Sequence, residues 1–125
     1  MPWTTLSRAC AIAKKSNRPI LLVFTITNTR GEPSYNLLDA LDNHPGCRDL
    51  VARAFSVVRV HTRLPAWNER ESVKALKVQF DVEGYPTMIV TRDGKTVVDR
   101  LLGCPTPDLI QQFLEGASGE YRLPT

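Results

Sequence analysis

The sequence predicts a small α/β sandwich, a four-stranded mixed sheet with helices on both faces. Three observations carry this. Pro19 to Thr25 is a continuous apolar run with β-branched members, the pattern of a strand covered on both sides. Segments with helical spacing of apolar residues alternate with short β-branched runs, as when helices join parallel strands. Near the carboxyl end, Asp93-Gly94 separates two further runs, and an amphipathic segment follows, giving a hairpin and a covering helix.

The elements follow in order. Residues 4–16 carry Leu6, Cys10 and Ala13 at helical spacing, with Ala9 beside them, and Asn17-Arg18-Pro19 stops the helix. After the strand at 19–25, Ile26 to Ser34 is rich in Thr, Asn, Gly and Pro and reads as a loop. Leu37, Leu38 and Leu41 start a second helix. Asn43-His44-Pro45-Gly46 breaks it, and Cys47, Leu50, Val51 and Ala54 continue in a second helical segment. Val57 to His61 is a strand and Leu64-Pro65-Ala66 a loop. Asn68-Glu69-Arg70-Glu71 has the form of a capping box, with Trp67 as the staple residue before it. Val73, Leu76 and Phe80 form the stripe of the next helix.

Thr87–Thr91 and Thr96–Leu102 are the arms of the hairpin, joined by Arg92-Asp93-Gly94-Lys95, where glycine supplies the positive φ. Thr106 caps the last helix and Pro107 takes its first position. Leu109, Ile110, Phe113, Leu114 and Ala117 face the core, Gly116 and Gly119 end the helix, and a loose tail starts at Glu120. Trp3 is expected on the sheet edge or the first helix.

At 125 residues, 42% hydrophobic and 23% charged, the chain has the length and balance of one globular domain. No apolar run exceeds five residues, too short to span a membrane. The start, Met1-Pro2-Trp3, lacks the basic and apolar regions of a signal peptide, which is absent or removed. Sixteen Lys plus Arg against 13 Asp plus Glu give +3, but the basic residues are scattered and only Lys14-Lys15 are adjacent. That is a mixed solvated surface, without the basic stripe of a nucleic-acid binder. Cys10, Cys47 and Cys104 lie 37 and 57 residues apart, with no C-x-x-C, so neither a zinc site nor a secreted disulfide framework is indicated. Three reduced thiols in a cytoplasmic protein is the simplest reading. His44, in the kink, and His61, ending a strand, form no metal pattern with Cys47.

The order of elements, together with Val82-Glu83-Gly84-Tyr85-Pro86-Thr87, resembles the thioredoxin fold over about residues 3–118. Ile20–Phe24 matches the central strand, Phe55 with Val57–Val60 the next, and Asp93-Gly94-Lys95, Gly103 and Phe113-Leu114 follow at the family's distances. Residues 42–55 are most similar to the branch with a kinked active-site helix. The resemblance implies a cis peptide at Tyr85–Pro86, facing the active site.

Thioredoxins place C-x-x-C at the start of the helix after the central strand. The amides there stabilise a thiolate, and the second thiol resolves the mixed disulfide. Counting back from Leu37 and Leu38 puts Gly31-Glu32-Pro33-Ser34 on that motif. Counting forward from Phe24 puts Thr29-Arg30-Gly31-Glu32 there. Neither holds a cysteine, which excludes dithiol exchange by the family mechanism. The carboxylate that many thioredoxins bury beneath the dithiol is also missing, with Val23 in its place.

Two functions are open. In the first, the chain is a redox-inactive binding or scaffold module, without cofactor, for an unidentified protein or extended peptide. Its groove is built from Arg30, Gly31, Glu32, Pro33, Ser34, Tyr35, Tyr85, Pro86, Gly103 and Cys104. The resemblance implies that Tyr85 would pair with the peptide backbone, which needs no thiol, and Arg30 and Glu32 would add charge selectivity. In the second, a thiol stands in for the missing pair. Cys104 lines the substrate face, or Cys47 at the start of a short helix has its pKa lowered by the dipole. Alternatively, Ser34 or Tyr35 stabilises a glutathione thiolate, as in glutathione transferases, though those enzymes carry a second, helical domain. Cys10, on an apolar stripe, is expected to be buried and inert.

Overall fold

The computed structural model describes residues 1–26, 29–62 and 69–119. The chain runs α1 (Leu6–Ser16), β1 (Ile20–Thr25), α2 (Pro33–Asn43), α3 (Pro45–Ala54), β2 (Ser56–His61), α4 (Glu71–Gln79), β3 (Thr87–Thr91), β4 (Val97–Leu102) and α5 (Pro107–Ser118). The sheet order is β2-β1-β3-β4. β1 pairs parallel with β2 and antiparallel with β3, and β3 pairs antiparallel with β4.

The apolar run of β1 is continuous because both its faces are covered. Leu21 and Val23 point into a layer with Leu37 and Leu41 of α2, Leu50 of α3 and Ile110 and Leu114 of α5. Ile20, Leu22 and Phe24 point the other way, onto Ala9 and Ala13 of α1 and onto Phe80. Burying each such side chain contributes about 1.5–3 kcal/mol. Asn17 closes α1 in the left-handed conformation, and the fork of Arg18 donates to the carbonyls of Ala52, Arg53 and Phe55 at the end of α3. Trp3 is half-buried, and the adjacent Thr4 N–H donates to the Val57 carbonyl, which lays the entering chain along the edge of β2.

Several expectations change. α2 begins at Pro33, inside the predicted loop, because proline's fixed φ suits a first helical position. The cap of α4 differs from the expected one. Arg70 holds that position without a side-chain bond and Glu71 is the first helical residue, so no capping box forms. Trp67, Asn68 and the tail from Glu120 lie outside the described residues, as do Leu64 to Ala66. Thr106 caps α5 by position but makes no side-chain cap bond. Gly116 lies within α5, and Gly119 alone, at φ +79°, ends it. Leu109 is half exposed, because the buried stripe is Ile110, Leu114 and Ala117. Cys10 is only partly buried, with its thiol 4.0 Å from the Asp93 carbonyl. In the hairpin turn Gly94 has φ +80°, and the Asp93 carboxylate accepts from the N–H groups of Lys95 and Thr96 at 2.8 and 2.7 Å.

Candidate functional site

Phe24 pairs with Thr87 across β1 and β3. The chain leaving β1 toward α2 therefore lies at the same end of the sheet as the Pro86 turn entering β3. At the α2 start, Glu32 is the N-cap without a side-chain bond, Pro33 and Ser34 are the first two helical residues, and Tyr35 follows, half-buried. The Ser34 hydroxyl is buried and accepts from the Ile26 N–H at 3.2 Å, tying the helix to the end of β1. That bond and its burial commit Ser34 to structure and weigh against its use on a glutathione thiolate. Arg30, Gly31, Glu32 and Pro33 are exposed. Gly31 has φ +90°, and its carbonyl accepts from the Asn36 side chain at 3.3 Å.

On the opposite wall the Tyr85–Pro86 peptide bond is cis. The Pro86 carbonyl accepts from the Gly103 N–H at 2.7 Å, and the Thr87 hydroxyl donates to the Gly84 carbonyl at 2.7 Å. These bonds bring Tyr85, Pro86, Gly103 and Cys104 together. No hydrogen bond among the described residues joins them directly to residues 30–35. Cys104, Pro105 and Thr106 do share a cleft of about 660 Å³ with Asn36, Asp39 and Ala40 of α2. The Tyr85 hydroxyl accepts from Thr62 at 3.0 Å, and the Lys77 ammonium lies 5.9 Å from the ring centroid. No hydrogen bond within the described residues takes up the main-chain N–H or C=O of Tyr85. Leu102, which pairs with Thr87 at the same end of the sheet, is 60% exposed.

Burial raises the pKa of two of the thiols. Cys47 occupies the third position of α3, as expected, yet it is fully buried and donates to the Pro107 carbonyl at 3.5 Å. Burial, followed by the charges of Asp108 and Glu115, pushes its pKa up to about 11. The expected lowering by the helix dipole is overturned, because desolvation of a buried thiolate outweighs a partial charge at the helix end. Cys104 is partly buried, and burial raises its pKa as well. His44 is the cap of α3, its Nδ1 accepting from the Cys47 N–H at 3.3 Å. Among the described residues no three His, Cys, Asp or Glu side chains converge to hold a metal ion.

One polar cluster escaped the sequence reading. Thr25, Arg59 and His61 meet on the Val23 face, at the carboxyl ends of β1 and β2. The Thr25 hydroxyl lies 2.8 Å from His61 Nδ1 and accepts from Arg59 Nε at 3.3 Å. Arg59 Nη2 is 3.4 Å from the same Nδ1, and since a guanidinium only donates, Nδ1 accepts. Burial lowers the Arg59 pKa. The signal was the alternation Val57-Arg59-His61, where polar residues replace apolar ones toward the strand end. It was unreadable without knowing that Thr25 lies beside His61.

No protein-family profile and no curated protein matches the chain. Solved structures do. A DsbH oxidoreductase superposes with a TM-score of 0.73 at 15% identity, covering 95% of this chain and 85% of that one. A thioredoxin from Thermus thermophilus gives 0.72 at 20% identity, covering 91% and 84%. A disulphide isomerase from Xylella fastidiosa Temecula1 gives 0.67 at 22% identity, covering 89% and 86%. The chain has the thioredoxin fold. No helix among the described residues is long and apolar enough to cross a membrane.

Proposed function

We propose that this thioredoxin-fold chain is a redox-inactive module that binds an extended peptide or protein segment in the groove between the α2 start and the Pro86 turn. The observation that carries the reading is Tyr85, whose main-chain N–H and C=O are taken up by no hydrogen bond among the described residues, next to Gly84, which the exposed Leu102 approaches. An extended partner gains two backbone hydrogen bonds and an apolar contact there without thiol chemistry. Arg30 and Glu32, exposed on the other wall, add charge selectivity. No cysteine stands at the α2 start, and the free cysteines suit a reducing compartment such as the cytoplasm. Neither nucleic acid nor a membrane is among the partners we propose.

Display selection of a random linear peptide library on the protein tests this. The expected binders shift the amide resonances of Tyr85, Leu102 and Gly103. They tolerate reductant and Cys104→Ser, and fail on Leu102→Asp. The competing thiol-dependent reading draws on Cys104, which is partly accessible in the cleft. Binders that require Cys104 and release on reduction would establish that reading and overturn ours, as would a selection that yields no binder to the folded protein.

A further inference from the structure

A second cleft, away from the Pro86 groove, encloses about 450 Å³ between β2, the chain entering α1 and the first turns of α4. Glu69 lines it with a side chain only 4% exposed. Its Oε2 accepts from Lys77 Nζ at 2.7 Å, while Oε1 is buried with no hydrogen-bond partner among the described residues. A carboxylate oxygen in that state has lost its hydration without gaining a donor. It calls for a donor that the described chain does not supply.

Two more features of the same cleft restrict what brings that donor. The start of α4, a nine-residue helix, has no side-chain cap. The Arg70 carbonyl accepts from Val73 and Lys74, and no hydrogen bond among the described residues takes up the N–H groups of Glu71 and Ser72 at the helix start, where Arg70 and Ser72 line the cleft. Such a terminus favours a negative group. The remaining wall is apolar, with Leu6, Val73 and Leu76.

A bare cation fits poorly, since Lys77 already balances the charge of Glu69 and Arg70 also lines the cleft. A bare anion leaves Oε1 without its donor. A zwitterion answers both. The geometry points to a binding site for an α-amino acid with an aliphatic side chain. Its ammonium donates to Glu69 Oε1, its carboxylate meets the first turn of α4 beside Arg70, and its side chain lies on Leu6, Val73 and Leu76. The proposal does not rest on the peptide-groove reading, although Lys77 links Glu69 to the ring of Tyr85.

Titration of the whole protein with L-leucine, N-acetyl-L-leucine and L-leucine amide, followed by amide chemical shifts, tests the assignment. L-leucine should give saturable shifts at Leu6, Arg70, Ser72 and Val73. The acetylated probe lacks the ammonium and the amide lacks the carboxylate, so each should bind at least about tenfold more weakly. Glu69→Gln should weaken L-leucine by at least about tenfold. No saturable shift up to about 10 mM, or equal affinity for all three probes, overturns the proposal. The probe series is read on the unaltered protein, so it decides the question even where Glu69→Gln does not fold.

Discussion

Raising the pH should weaken the fold through one thiol, Cys47. Its side chain is fully buried, and its pKa rises from 9.0 to about 11, mainly by burial. The unfolded chain releases this proton near pH 9 and the folded chain holds it until about pH 11. Between these values the folded state binds more protons, so stability falls as pH rises. The contribution is whole below pH 9 and is lost as pH rises through about 11. Holding the proton over that interval contributes about 3 kcal/mol in all, of which about 2 kcal/mol is gone by about pH 10.5. The assay is urea unfolding of the protein and of Cys47→Ala at about pH 7 and about pH 10.5. Lysines and tyrosines titrate in both proteins and cancel in the difference. The parent's advantage over Cys47→Ala should shrink by about 2 kcal/mol on going alkaline. Iodoacetamide should leave Cys47 unmodified in the folded protein at neutral pH and label it after unfolding. A stability gap that stays constant within about 0.5 kcal/mol, or rapid labelling of the native thiol, would refute the desolvation argument.

Other outcomes follow from single contacts. Gly94→Ala should destabilise by about 1–3 kcal/mol in thermal unfolding, because φ is +80° and the new Cβ overlaps the Cys10 sulfur. Gly46→Ala meets only the flexible end of Gln111, and a helical site favours alanine, so its stability should stay within about 1 kcal/mol of the parent. Arg18→Ala removes three hydrogen bonds to the end of α3 and should cost about 1.5–3 kcal/mol in urea unfolding. Arg18→Lys should restore less than half of that, because an ammonium cannot reproduce the fork. The N–H groups of Thr96 and Lys95 hold the Asp93 carboxyl at about 2, below its ordinary 3.8. Its stabilisation is present above pH 3.8 and lost as pH falls through about 2, so Asp93→Ala should flatten the acid limb of the stability profile.

Much of the architecture was legible because it is written in local periodicity. β1 reads as a doubly covered strand since neighbouring residues feed opposite layers, Leu21 and Val23 to one and Ile20, Leu22 and Phe24 to the other. The hairpin reads from Asp93-Gly94, and the start of α5 from Thr106-Pro107. The absence of a cysteine at the α2 start is equally a fact of sequence, and the proposed binding role starts from it. Periodicity does not say which of two adjacent apolar residues a neighbouring helix accepts. Leu109 and Ile110 both fit the stripe of α5, and packing buried only Ile110. Nor does it give the environment of a side chain. The place of Cys47 near a helix start suggested a lowered pKa, but burial against Pro107, 60 residues away in sequence, and the charges of Asp108 and Glu115 raised it. Thr25 with His61, Thr62 with Tyr85, and the orphaned oxygen of Glu69 have the same origin. Helix, strand and turn follow from interactions within a few residues, and the sequence by itself determined them. Burial, charge environment and hydrogen-bond satisfaction depend on which distant segments share a surface, and only the tertiary structure decided those.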